Sequence, residues 1–223
     1  MQQALEGSPE KSTHACRAGC SSCCSQLIPV TPFEAFIIAT HIKQNFKGEH
    51  FKNLVQKLKM NAQLLDSNSA HKFGTPRVPC ALLDYNGACS IHLNRPIRCR
   101  GYFSSSKKNC DAQVNQPEIE IPVDGHSLAL SRGVQSSLSK VLSAYRLDAE
   151  YYELQSAVYI ALNQKHALKK WLKGEKIFSN CLKSQSHPKI IWVAPQSNQE
   201  TVVLSRNDSS LQGKKIDVQT FYD

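Results

Sequence analysis

The run Cys16-Arg17-Ala18-Gly19-Cys20-Ser21-Ser22-Cys23-Cys24 places four of the chain's nine cysteines within nine positions. Four more follow at Cys80, Cys89, Cys99 and Cys110. The spacings read C-x3-C-x2-C-C and then C-x8-C-x9-C-x10-C. Thiolate is the ligand that Zn²⁺ and iron–sulfur clusters share, with four thiolates to a zinc ion or to a cluster. Eight thiols suit two four-ligand sites or one larger cluster. Gly19 and the two serines disfavour a regular helix in the first group, so a tight loop turning backbone N–H groups toward sulfur is expected. Cys23 and Cys24 are adjacent, and neighbouring side chains point in different directions in almost any backbone. They are therefore expected to serve different sites, unless one is a spare thiol. The N-terminal and later cysteines would then interleave in space. All eight sit among polar, Gly and Pro residues rather than in apolar stripes, which argues against a chance accumulation of core thiols.

The remaining chain reads as helices around this loop-rich core. Residues 1–13 are polar and aperiodic, a flexible lead-in, and Gln26–Val30 is a short extended segment. Thr31, Pro32 and Glu34 spell a capping box with Pro at the first helical position, which predicts a helix from Pro32 to about Asn45 carrying Phe33, Phe36, Ile37 and Ile42. A second amphipathic helix is marked by Phe51, Leu54, Val55, Leu58, Ala62 and Leu65. From Ser67 to Pro122 the prolines and glycines predict irregular chain, in which Cys80, Cys89, Cys99 and Cys110 supply the constraint that regular hydrogen bonding does not. Two further helices, about Ser127–Arg146 and Asp148–Gly174, are expected to form an antiparallel hairpin. Segments around 189–194 and 201–204 have strand character and suit a β-hairpin. The fold class is therefore mainly α, with a small β element. The expected units are a cysteine-rich metal-binding domain over 12–125, a helical hairpin over 126–174, and a basic linker with a hairpin tail over 175–223.

Twenty-seven basic against 18 acidic residues give +9 with histidines neutral. Eight thiolates with two Zn²⁺ would lower this to roughly +5, so much of the basic excess balances an anionic site rather than marking a nucleic-acid surface. The lysines Lys165, Lys169, Lys170, Lys173 and Lys176 are the stretch that a nucleic-acid binder with structural zinc would use. Met1–Glu10 carries no apolar signal region, and no run reaches the length of a membrane span. A cytoplasmic protein with reduced thiols is the expectation, and the odd cysteine count also speaks against a disulfide framework.

Arg95, Arg98 and Arg100 surround Cys99, and Arg17 lies between the first two cysteines. Cations beside a thiolate centre offset its charge and donate hydrogen bonds to it. The alternative is that they hold an anionic substrate. His14 and His92 lie near cysteines, and His126 at a helix start; each is read as a surface residue rather than a ligand. Cys181 has no cysteine neighbours and reads as a bystander in a lysine-rich linker. Its substitution is expected to change neither metal content nor stability, whereas Cys20→Ser lowers both.

Cys16-x3-Cys20-x2-Cys23-Cys24, with Val78-Pro79-Cys80-Ala81-Leu82-Leu83, Gly87-Ala88-Cys89-Ser90-Ile91-His92 and Arg95-Pro96-Ile97-Arg98-Cys99-Arg100, resembles the YkgJ family of cysteine-cluster proteins. That family is described as a zinc- or iron-chelating domain with eight cysteines. The resemblance covers about Cys16 to Cys110 and implies metal binding at Cys16, Cys20, Cys23, Cys24, Cys80, Cys89, Cys99 and Cys110. It implies zinc or iron, the latter as an iron–sulfur centre, without choosing between them. Cys16-x3-Cys20-x2-Cys23 is also the ligand spacing of radical S-adenosylmethionine enzymes, but the βα repeats of their barrel are missing. The family's core is similar to that of flagellin lysine N-methylases, which leaves an iron–sulfur enzyme, redox or S-adenosylmethionine-linked, as the alternative to a metal-holding protein with a protein partner. No glycine-rich strand-to-helix turn marks a methyl-donor pocket.

Overall fold

A computed structural model describes residues 13–17, 19–67, 78–116, 118–181 and 183. The expected lead-in over 1–12 and the expected β-hairpin over 189–204 lie outside these residues. The architecture is mainly helical. Seven helices are present among the described residues: α1 Pro32–Asn45, α2 Gly48–Ser67, α3 Ile97–Arg100, α4 Lys107–Asn115, α5 Gly125–Ala144, α6 Leu154–Asn163 and α7 Ala167–Leu172. Two two-residue strands, β1 Pro29–Val30 and β2 Tyr152–Glu153, pair antiparallel with Val30 opposite Tyr152. No helix among the described residues is long and apolar enough to cross a membrane.

The start of α1 follows from its first four residues. Thr31 Oγ1 accepts from Glu34 N (3.3 Å), Glu34 Oε2 accepts from Thr31 N (2.9 Å), and Pro32 opens the helix. These are the two reciprocal bonds of a capping box. The buried stripe is Ala35, Ile38, Ala39 and Ile42, whereas Phe33 and Ile37 are about two-fifths exposed. α6 lies on both α1 and α2, and its Ala157 and Val158 meet Leu54 and Leu58 in the main core. A second, smaller core gathers Cys110, Ile121, Val123 and Leu128 under Tyr102.

Four expectations are corrected. The stretch 67–122 contains a nine-residue helix, α4, and a single turn, α3, so Cys110 and Cys99 sit on helices rather than in loops. Ser106 caps α4 by accepting from Asn109 N (3.2 Å), a signal that the surrounding polar residues obscured. The last expected helix is two helices. His166 adopts the left-handed conformation (φ 57°) and breaks it, and the N-cap of α6 is Glu153, which accepts from Ser156 N (2.8 Å). Asp148 instead accepts from the buried Tyr152 hydroxyl (2.8 Å). Third, α5 and α6 take their main partners elsewhere rather than forming a hairpin, with α5 packing on the turn α3. On α5 the apolar Val141 and Tyr145 are exposed, while Ser127, Ser131 and Gln135 are fully buried. Finally, residues 175–181 are not linker: Ile177, Phe178 and Cys181 complete the main core around Trp171.

The close approach of α3 to α5 explains that small, polar face. Gly101, the residue after α3, lies so near α5 that a Cβ on it would stand 2.3 Å from Ser131 Cβ and 2.6 Å from Ser127 O. Only a glycine opposite two serines permits this contact.

Candidate metal centre

Each cysteine segment is positioned by hydrogen bonds from another. Ala15 N donates to Ser104 O (2.8 Å), and Ser104 N points back at Cys16 Sγ (3.5 Å), an N–H turned toward sulfur. Cys20 closes a turn on Arg17 O (3.0 Å), and Gly19 is left-handed (φ 80°). Residues Ser22–Ser25 form one 3₁₀ turn carrying Cys23 and Cys24. Cys80 N donates to Cys24 O (2.8 Å), which joins the first cysteine group directly to the second.

Cys80 and Cys89 flank a small turn. Asp84 Oδ1 accepts from Asn86 N and Ala88 N (both 2.9 Å), Leu83 bridges Cys89, and Gly87 (φ 75°) leans on Gly19 O. Gln155 on α6 holds this segment: its Oε1 accepts from Ala81 N (2.8 Å) and Asn61 Nδ2 (2.7 Å). Cys99 is carried by α3, whose Ile97 N donates to Glu34 Oε1 (2.9 Å). Cys110 is carried by α4, which packs on the 3₁₀ turn and receives Ser22 Oγ at Asp111. The centre is therefore a seam: Cys80 and Cys89 pack on the main core, while Cys110 belongs to the smaller one.

The thiols feel one another electrostatically. Cys23 is the common member, since its charge acts on Cys16, Cys80, Cys89, Cys99 and Cys110. Cys20 acts on Cys16 and Cys110. A hydrogen bond in which the Cys23 thiol donates to Cys24, then burial, pushes Cys23 far up. Burial pushes Cys80 up to about 12 and Cys99 well above the ordinary thiol range. All eight expected thiols thus lie in one neighbourhood. The adjacent Cys23 and Cys24 lie in the 3₁₀ turn and interact with each other. Among the described residues no three Cys, His, Asp or Glu side chains stand at metal-ligating geometry.

Of the three arginines around Cys99, Arg95 faces the sulfurs and lowers Cys16, Cys23, Cys89 and Cys99. Arg100 is turned to the backbone, donating to Arg95 O (2.9 Å) and Leu93 O. Arg98 points inward, with a buried Nη1 that has no hydrogen-bond partner. His14 stacks on Phe103 and bonds Asp124 (2.8 Å), while His92 and His126 are exposed, as surface histidines should be. Cys181 packs in the main core beside Tyr152 and Phe178 rather than in a linker. Sequence reasoning missed Tyr102, a half-buried phenol raised to about 12 by burial and next to the charges of Cys110, Cys23 and Cys16. It also missed the supports Glu34 and Gln155. Glu34 is marked locally only as a cap and Gln155 not at all, because the partners they support are 63 and 74 residues away.

The cysteines of both groups and the Arg95 cation share one region, and thiolates are the soft donors that zinc and iron sites use. Residues 15–118 match the family model CxxCxxCC, described as a putative zinc- or iron-chelating domain. The resemblance read from the cysteine motifs holds over that span. No curated protein and no solved structure matches the chain.

Proposed function

We propose that Cys16, Cys20, Cys23, Cys24, Cys80, Cys89, Cys99 and Cys110 are the ligands, and that the protein holds its zinc or iron through these eight thiolates as one centre shared between the two cysteine groups. The supporting observation is the position of Cys23, whose charge reaches thiols of every other segment. A self-contained four-thiol loop would not need the Cys80 to Cys24 backbone bond that knits the groups together. Arg95 offsets the negative charge of the centre. The metal supplies the cross-link between the two cores, and its binding requires the thiols to give up their protons.

Anaerobic purification followed by metal analysis and a visible spectrum tests the reading. Stoichiometric zinc or iron that falls on substitution of Cys20 or Cys110 supports it. A colourless protein with about two zinc ions assigns a closed structural site, and a brown protein that bleaches in air assigns an iron–sulfur centre. A purified, reduced protein that takes up neither metal refutes it.

A further inference from the structure

Two arginines at the α3–α5 contact carry buried nitrogens without hydrogen-bond partners. Arg132 on α5 is nine-tenths buried, and its Nε and Nη1 have no hydrogen-bond partner. Arg98 on α3, the turn that packs on α5, presents its own unpartnered, buried Nη1, and its charge acts on Arg132. The charge acting on Arg132 is that of Arg98; no thiol is among its causes. Among the described residues neither arginine has a carboxylate within ion-pair distance. The carboxylate near Arg98 is Glu34, and it already accepts from Thr31 N, Thr31 Oγ1, Ile97 N and Gln135 Nε2. Tyr102 and Tyr151 also face Arg98. One turn along α5 from Arg132, Gln135 Oε1 is a buried acceptor without a donor.

Two like charges brought together out of water, with free N–H groups, are strongly unfavourable unless an anion lies between them. Guanidinium forks match the oxygens of a carboxylate or phosphate, and two forks facing one space can bind several oxygens at once. We infer that Arg98 and Arg132, at the α3–α5 contact, form a binding site for a small oxyanion, a carboxylate or a phosphate. Arg98 also neighbours Cys99, so an anion here sits beside the metal centre without ligating it.

The test uses the full, metal-loaded protein at constant pH and ionic strength, with inorganic phosphate, acetate or chloride as probe. Phosphate or acetate should raise the unfolding temperature saturably where chloride does not, and calorimetry should count one site per chain. The arm that responds identifies the source as phosphate or carboxylate. Arg132→Met should weaken that binding at least about tenfold, keep its metal, and melt no lower than wild type when the anion is left out. Arg132→Lys should bind with intermediate strength. The inference is overturned if neither anion binds the wild type beyond chloride, or if both Arg132 variants bind as the wild type does. The calorimetric arm decides even where Arg132→Met fails to fold.

Discussion

Gly101→Ala places one methyl group where α3 and α5 touch. The added Cβ would stand 2.3 Å from Ser131 Cβ, 2.4 Å from Ser131 Oγ and 2.6 Å from Ser127 O. The backbone conformation of Gly101 itself suits any residue (φ −103°), so the whole effect is steric. Restoring ordinary contact distances requires the segments to part by roughly 1 Å, against a helix backbone rather than a flexible side chain. Overpacking of this kind costs about 1–3 kcal/mol, and the upper half of that range is expected here. The displaced segment carries Cys99, so metal content should fall with stability. Gly133→Ala is the control on the same helix: nothing lies within 4 Å of its Cβ, and helix propensity should stabilise by about 0.5–1 kcal/mol. Urea denaturation and metal analysis of both variants read the result. Equal stabilities for Gly101→Ala and wild type, with full metal content, would refute the close contact.

Other outcomes follow from the same geometry. Cys110→Ser should lower metal content and stability together, whereas Cys181→Ala should lower stability alone, by about 1–2 kcal/mol, because Cys181 fills the main core; equal metal loss in both would sink the ligand assignment. Glu34→Ala removes the acceptor of four donors and should cost about 3 kcal/mol, measured by urea denaturation, and a loss under about 1 kcal/mol would show those bonds to be incidental. Cys80 has a folded value near 12 against an ordinary 9, so with the metal stripped by chelator it contributes stability below pH 9 that is lost as pH rises toward 12. With metal bound the thiolate is already formed and acid becomes the threat, so the stability profiles of stripped and loaded protein should slope in opposite directions. Parallel profiles would exclude thiolate ligation.

What was legible in the sequence was local. The Thr31–Glu34 box, the α2 stripe and Gly174 (φ 86°) as the stop of α7 are written in consecutive residues, and each stands where it was expected. The cysteine motifs carried the family resemblance without any geometry, and the family model matches over 15–118. The failures share a cause, since they concern faces decided by distant partners. α5 carries an apolar pattern at Val134, Leu138, Val141 and Tyr145, yet Ser127, Ser131 and Gln135 are buried, because Gly101 and the Pro29 carbonyl lie on that side. α4 was hidden because its polar surface gives little periodicity, and its one buried residue is Cys110.

Glu34 shows how the two levels meet. Its position three residues after Thr31 marks it as a capping residue, which is enough to explain its presence. In the fold the same carboxylate accepts from Ile97 N at the start of α3 and from Gln135 Nε2 on α5. One local cap therefore sets where Cys99 stands relative to α1, and it does so before any metal is invoked. The remaining segments are held as economically: Cys80 by Cys24 O and Gln155, and Cys110 by the contact of α4 with the Ser22–Ser25 turn. Helices fix where the sulfurs start, but they leave no three of the described ligand-type side chains at ligating geometry. In the proposed centre the metal would tie these segments together, and the free energy of its binding would become free energy of joining the two cores. Removal of the metal should accordingly loosen the smaller core, around Ile121, Val123 and Leu128, before the larger one. Hydrogen exchange on chelator-treated protein resolves that order, and simultaneous loss of protection in both cores would refute it.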